Sequence, residues 1–123
     1  MPDTNLQIRR LNDLARTKPQ SVNATWVMTV GIQDLIAGDE ADEDPSLAFK
    51  RNAILLRTVA AYCDWTEGND PYGEHDFGAF DLFGARCFFK IDYYHPDRAV
   101  HAPDPANIEL CRRVLTLMLA EEY

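Results

Sequence analysis

EGNDPYGEHDFGAFDLFGARCFFKIDYY, residues 67–94, gathers most of the chain's aromatic side chains together with a cluster of Glu, His and Asp. Its second half decides the fold. Phe77 to Leu82 and Ala85 to Tyr94 are two extended, aromatic-rich runs separated by Phe83-Gly84, the spacing of a β-hairpin. With those two residues as the loop, Leu82 faces Ala85, Phe80 faces Cys87 and Gly78 faces Phe89, so that a glycine lies beneath a large ring. Phe83 is not the Asn or Asp that a type I′ turn favours, which leaves a longer or bulged loop open. On the second strand Cys87, Phe89, Ile91 and Tyr93 share one face, and Phe88, Lys90, Asp92 and Tyr94 the other. One side packs on helices and the other is amphipathic. Asp76 falls opposite Ile91 and next to Asp92, and the open end of the hairpin collects Glu74, His75, Asp76, Lys90, Asp92, Tyr93, Tyr94 and His95.

Outward from the hairpin the pattern predicts an αβαββα order within one domain, residues 1–123. Asp3 or Thr4 caps a first helix with Leu6, Leu11, Leu14 and Ala15 near one side, ended by Lys18-Pro19. Val22, Ala24, Trp26, Met28 and Val30 alternate with polar neighbours, which is strand periodicity, and Ile32 to Ala37 forms a short helical turn. The acidic GDEADED follows as a solvated loop. Asp44-Pro45 starts a helix whose stripe is Phe49, Ala53, Leu56, Ala60 and Cys63, flanked by Leu55, Val59 and Tyr62. After His95-Pro96, Asp104-Pro105 starts a last helix with Ile108, Cys111, Leu115 and Met118 on its stripe. So wide an apolar surface suggests a central helix or one that also forms a homo-oligomer interface.

With 46% hydrophobic and 26% charged residues the composition is that of a soluble globule. No apolar stretch approaches the ~20 residues that span a bilayer, and MPDTNLQIRR carries no export signal, so a cytoplasmic protein is expected. Cys63, Cys87 and Cys111 are odd in number and scattered, which argues against a disulfide framework or a thiolate zinc site and for three core thiols. Twenty acids against 12 bases give a net charge of −8, the wrong sign for gripping a nucleic-acid backbone directly. Asp34, Asp39, Glu40, Asp42, Glu43 and Asp44 form one acidic group, and Asp64, Glu67, Asp70, Glu74 and Asp76 another. Clustered carboxylates steer a basic partner or imitate the phosphate ladder of DNA; they also keep a protein soluble.

The chain lacks GxSxG, GxGxxG, GxxxxGK[ST] and HExxH, which leaves no familiar nucleophile, phosphate loop or zinc helix. Two constellations remain. Glu74, His75, Asp76, Asp92 and His95 offer oxygen and imidazole donors for a divalent metal or for acid–base work, although consecutive extended residues point to opposite sides. Tyr72, Phe77, Phe80, Phe83, Phe88, Phe89, Tyr93 and Tyr94 divide between core and a contact surface.

NDPYGEHDFGAF (69–80), FFKIDYY (88–94) and RRVLTLMLAEEY (112–123) resemble a small bacterial family of unknown function, known mainly from alphaproteobacterial chromosomes, plasmids and prophages. The similarity runs from LNDLAR to the terminal AEEY. Members typically read FGxFxLxGxxxxWKIDYYD, so Phe83 stands where a polar turn residue is usual, Phe89 where a tryptophan is, and His95 where an acid is. The resemblance implies a mobile-element setting, where small acidic proteins often inhibit host defence.

These readings converge on a single-domain α+β protein, a small three-stranded, mostly antiparallel sheet packed against two or three helices. Its expected role is non-enzymatic: binding a protein partner, such as a basic nucleic-acid-binding protein, through Asp70, Tyr72, Glu74, His75, Asp76 and Tyr94. No cofactor and no membrane or direct nucleic-acid contact is indicated. The alternative is a small metal-assisted enzyme or metal-binding protein using Glu74, His75, Asp76 and Asp92.

Overall fold

The computed structural model describes residues 4–38, 44 and 46–123. Among the described residues three α-helices, α1 (Thr4–Thr17), α2 (Val30–Ala37) and α3 (Ser46–Ala60), accompany four strands, β1 (Ala24–Met28), β2 (Phe77–Leu82), β3 (Ala85–Tyr94) and β4 (Arg112–Leu119). The sheet order is β1-β4-β3-β2; β1 runs parallel to β4, and the other pairs are antiparallel. An α+β fold is therefore correct, but the sheet has four strands where three were expected and is mixed, one parallel pair beside two antiparallel ones, and the order is αβααβββ.

The difference lies in the C-terminal segment, expected as a helix and found as β4 in the middle of the sheet. Asp104 does cap, its Oδ1 accepting from the Ala106 amide at 3.0 Å, but the turn goes no further than a short 3-10 helix at Ile108–Leu110. Cys111, Arg113, Leu115 and Leu117 are fully buried and alternate with half-buried Arg112, Val114 and Thr116. That is period two. Arg113, a charge on the buried side, disguises it. An oligomer interface on a C-terminal helix falls with the helix.

The hairpin register is the expected one: Leu82 pairs Ala85, Phe80 pairs Cys87 and Gly78 pairs Phe89. Phe83 (φ 50°) and Gly84 (φ 80°) form a two-residue turn with both φ positive, as type I′ requires, so the longer loop is not used. Gly78 is obligatory, since a Cβ there would collide with Phe89 Cε2 and lie 2.6 Å from Tyr62 Cε1.

One face of the sheet and the three helices enclose the core of Leu11, Ala15, Ile32, Ile36, Leu55, Val59, Phe80, Leu82, Cys87, Phe89, Ile91, Leu115 and Leu117. On α3 the buried residues are Leu55 and Val59, while Phe49 is 78% exposed and Leu56 is also exposed; Cys63, expected on the same stripe, lies beyond the helix end and is exposed. The helix is turned by about one residue, roughly 100°, from its expected stripe. Its apolar residues run nearly all round, so periodicity alone selects no face. Asp44 holds its start, Oδ1 accepting from the Ser46 amide at 2.9 Å, and its bonds with Ser46 hold the Asp44 carboxyl below its usual range. Asp3, Pro45 and the acids at 39–43 lie outside the described residues.

At the other end of β1, Val22 belongs to a 3-10 turn and Val30 opens α2, so the strand is shorter than its alternation suggested. Thr29 caps α2, and Glu122, after β4, accepts from Thr29 Oγ1 (2.6 Å) and the Gly31 amide (3.1 Å). A carboxylate on a helix start is favourable. These bonds, led by that from Thr29, keep the Glu122 carboxyl below its usual range.

Candidate functional site

The expected site residues divide between two environments. Toward the helices, a polar cluster is closed by hydrogen bonds. Buried Asn12 on α1 donates from Nδ2 to the Tyr93 hydroxyl (2.8 Å) and the Glu74 carbonyl (3.0 Å), and its Oδ1 accepts from Arg113 Nε (2.7 Å). Tyr93 in turn donates to Glu74 Oε2 at 3.1 Å. Arg113 also donates to the Pro105 carbonyl, while its Nη1 is buried without a partner. Burial pulls the Arg113 pKa below its ordinary value and pushes that of Tyr93 above it.

His75 is consumed by the same layer. Its ring stacks on Trp65 with centroids 3.8 Å apart and planes 6° off parallel, Nδ1 lies 2.8 Å from Asp13 Oδ1, and Nε2 lies 3.6 Å from Asp70 Oδ2. Asp70 Oδ1 also accepts from the His75 amide at 2.9 Å, and φ of 59° at His75 turns this side chain away from its neighbours. Arg16 completes the arrangement, 5.0 Å from the Trp65 ring centroid, donating to the Val59, Ala60 and Tyr62 carbonyls at the end of α3 and to Asp13. Asp70, Glu74 and His75 thus serve the fold.

The other side of the hairpin is open. A groove of about 670 Å³ is lined by Gly68, Asn69, Pro71 and Tyr72, by Asp76 and Phe77, by Phe88, Lys90, Ile91 and Asp92 of β3, and by Tyr123. Tyr72 is 73% and Tyr123 78% exposed. Phe77, Phe88 and Tyr123 meet in tilted or edge contacts at 5.0, 6.1 and 5.7 Å between centroids. A smaller hollow of about 240 Å³, lined by Asp76, Ile91, Asp92, Tyr93, Tyr94 and His101, adjoins it. Tyr94 carries the Arg112 guanidinium 5.3 Å from its ring. Lys90 and Asp92 pair at 3.3 Å. Burial and then the Glu74 charge hold the Asp76 carboxyl above its usual range.

Of the six expected contact residues, Tyr72, Asp76 and Tyr94 border these hollows, and Asp70, Glu74 and His75 do not. The expected metal ligands Glu74, His75, Asp76 and Asp92 are divided in the same way, and among the described residues no group of three or more His, Cys, Asp and Glu side chains is placed to hold a metal ion. His95 turns into its own loop, Nδ1 accepting from the Asp97 amide. Sequence reasoning missed Tyr123, which reaches Phe88 only because β4 lies beside β3. It also missed Asn12, Asp13 and Arg113, for which no local pattern gives a signal. Among the thiols, Cys87 and Cys111 are buried, and burial pushes Cys87 up to about 11. Cys63, exposed, departs from the expected core position.

No helix among the described residues is long and apolar enough to cross a membrane. No curated protein and no solved structure matches the chain. Residues 28–122, from the last residue of β1 through α2, α3 and the other three strands, match a family described as protein of unknown function (DUF3768), a shorter span than the resemblance from LNDLAR onward; the chain belongs to that family.

Proposed function

We propose that the protein acts by binding another protein, and that its contact surface is the groove bounded by Tyr72, Asp76, Phe77, Phe88, Asp92 and Tyr123. The observation that supports this reading is the pairing state of the two environments: apart from Arg113 Nη1 and Arg16 Nε, the inner polar groups are engaged with one another, whereas the groove presents two strongly exposed tyrosines beside an acid that no cation answers among the described residues. Exposed rings around a polar centre are the usual anchors of protein contacts. The net charge of −8 and the acids of the groove favour a basic partner, and a nucleic-acid-binding protein of host or defence origin is the narrower form of the proposal. Clustered carboxylates would then occupy its phosphate-binding channel and inhibit it.

Affinity capture from the native host, read by mass spectrometry, tests the surface. The wild-type chain is expected to retain a partner that a Tyr72→Ala/Tyr123→Ala variant loses while its melting temperature is unchanged. Identical capture by both proteins sinks the placement.

A further inference from the structure

The carboxylates near the groove are not equivalent. Asp92 has Lys90 at 3.3 Å, Glu74 accepts from Tyr93, and Asp70 holds His75. Asp76 pairs with no cation among the described residues, although Glu74, Asp70 and Asp92 all bear on it with like charge. A half-buried carboxylate in that situation is relieved most directly by a cation from outside. The groove that Asp76 shares is lined with rings: Tyr72, and Phe77, Phe88 and Tyr123 in mutual contact. Ring faces attract cations, and a volume of about 670 Å³ suits a side chain with its flanking backbone, not a bare ion.

Guanidinium uses both features better than ammonium does. It is planar, weakly hydrated, stacks on rings and forks onto a carboxylate, whereas ammonium is a compact and strongly hydrated point charge. The same region already holds one such pairing, Arg112 over Tyr94. We infer that the groove receives an arginine side chain from a basic segment of the partner, with Asp76 as its ion-pair acceptor and Tyr72, Phe88 and Tyr123 as its walls. This rests on the groove being the contact surface.

The test titrates isotope-labelled full chain with a blocked glycine–arginine–glycine–arginine–glycine peptide and with the same peptide carrying citrulline, the neutral isostere of arginine. Amide shifts are expected at Tyr72, Asp76, Phe77, Phe88 and Asp92, with binding weaker on the order of tenfold for citrulline and for Asp76→Asn. A lysine peptide is expected to bind more weakly than the arginine one. Asp76→Asn removes a half-buried charge, so it folds, and its melting curve verifies this. Equal binding of the citrulline peptide, shifts centred elsewhere, or an unaffected Asp76→Asn variant overturns the inference. If the arginine peptide fails while Tyr72→Ala/Tyr123→Ala still loses its captured protein, the arginine assignment falls and the contact surface stands. Arginine binding in the groove with capture unchanged supports the cation site and removes the surface as the route to that protein.

Discussion

The two sides of the hairpin's open end are built from the same residue types and put to opposite uses. On the helix side, Glu74, Asp70, His75, Asn12, Tyr93 and Arg113 lock one another in place. On the open side, Tyr72, Asp76 and Tyr123 contact little that would satisfy them. The contrast teaches that acidity and aromaticity in a stretch of sequence do not identify a site; pairing does. A polar group whose hydrogen bonds are complete belongs to stability, and one left with unmet charge beside exposed rings is free to meet something else.

The contrast breaks most visibly at Arg113. Arg113→Ala removes the donor to Asn12 and the packing against Tyr93, whose ring centroid lies 5.3 Å from the guanidinium, so a loss of about 3–5 kcal/mol is expected in denaturant unfolding. A loss below about 1 kcal/mol would show that the inner network does not hold this end of the sheet. Gly78→Ala, which forces a methyl group into Phe89 and Tyr62, should cost about 1–3 kcal/mol by the same measurement. Phe83→Asn relieves a bulky residue at φ 50° and is expected to gain about 1 kcal/mol, a change confined to the turn and neutral for partner capture.

Asp76 separates the two sides by pH. Its carboxyl is raised in the folded chain above 3.8, so the ionised form is the one the fold disfavours. Below both values Asp76 costs nothing; the penalty grows as pH rises from the unfolded value through the raised folded value and then persists to neutrality. Asp76→Asn should therefore raise stability at pH 7, by less than about 1 kcal/mol after solvent screening and visible as a higher melting temperature, and the advantage should vanish near pH 3. Melting curves at the two pH values check it, and a penalty of opposite sign would mean that a cation already satisfies this acid. Smallest of all, Tyr72→Ala should alter stability by no more than about 0.5 kcal/mol.

The hairpin was legible because two-residue spacing and alternation act over short range; the register of Gly78 against Phe89 follows from the turn alone. β4 was not. Its alternation carries Arg113 where an apolar residue is the rule, and the partners that make a buried guanidinium tolerable, Asn12 and Tyr93, are far away in the chain. With β4 taken for a helix, Tyr123 had no reason to lie by Phe88. His75 looked like a donor for a ligand for the same cause, since Asp13, 62 residues away, is what occupies its ring nitrogen. α3 was found but misoriented, because the unbroken apolar run of Ile54, Leu55 and Leu56 fits several rotations. Local chemistry was readable; whatever depended on long-range company was not.

Because β4 separates β1 from β3 and follows both in the chain, the sheet has no centre until residues 112–119 have been synthesised. A chain halted before that point would hold β1 unpaired and a complete hairpin whose β3 edge is open, each without its neighbour. The sheet is thus closed by the last of its four strands in chain order, and β1 and β3 each keep an unpaired edge until β4 arrives between them.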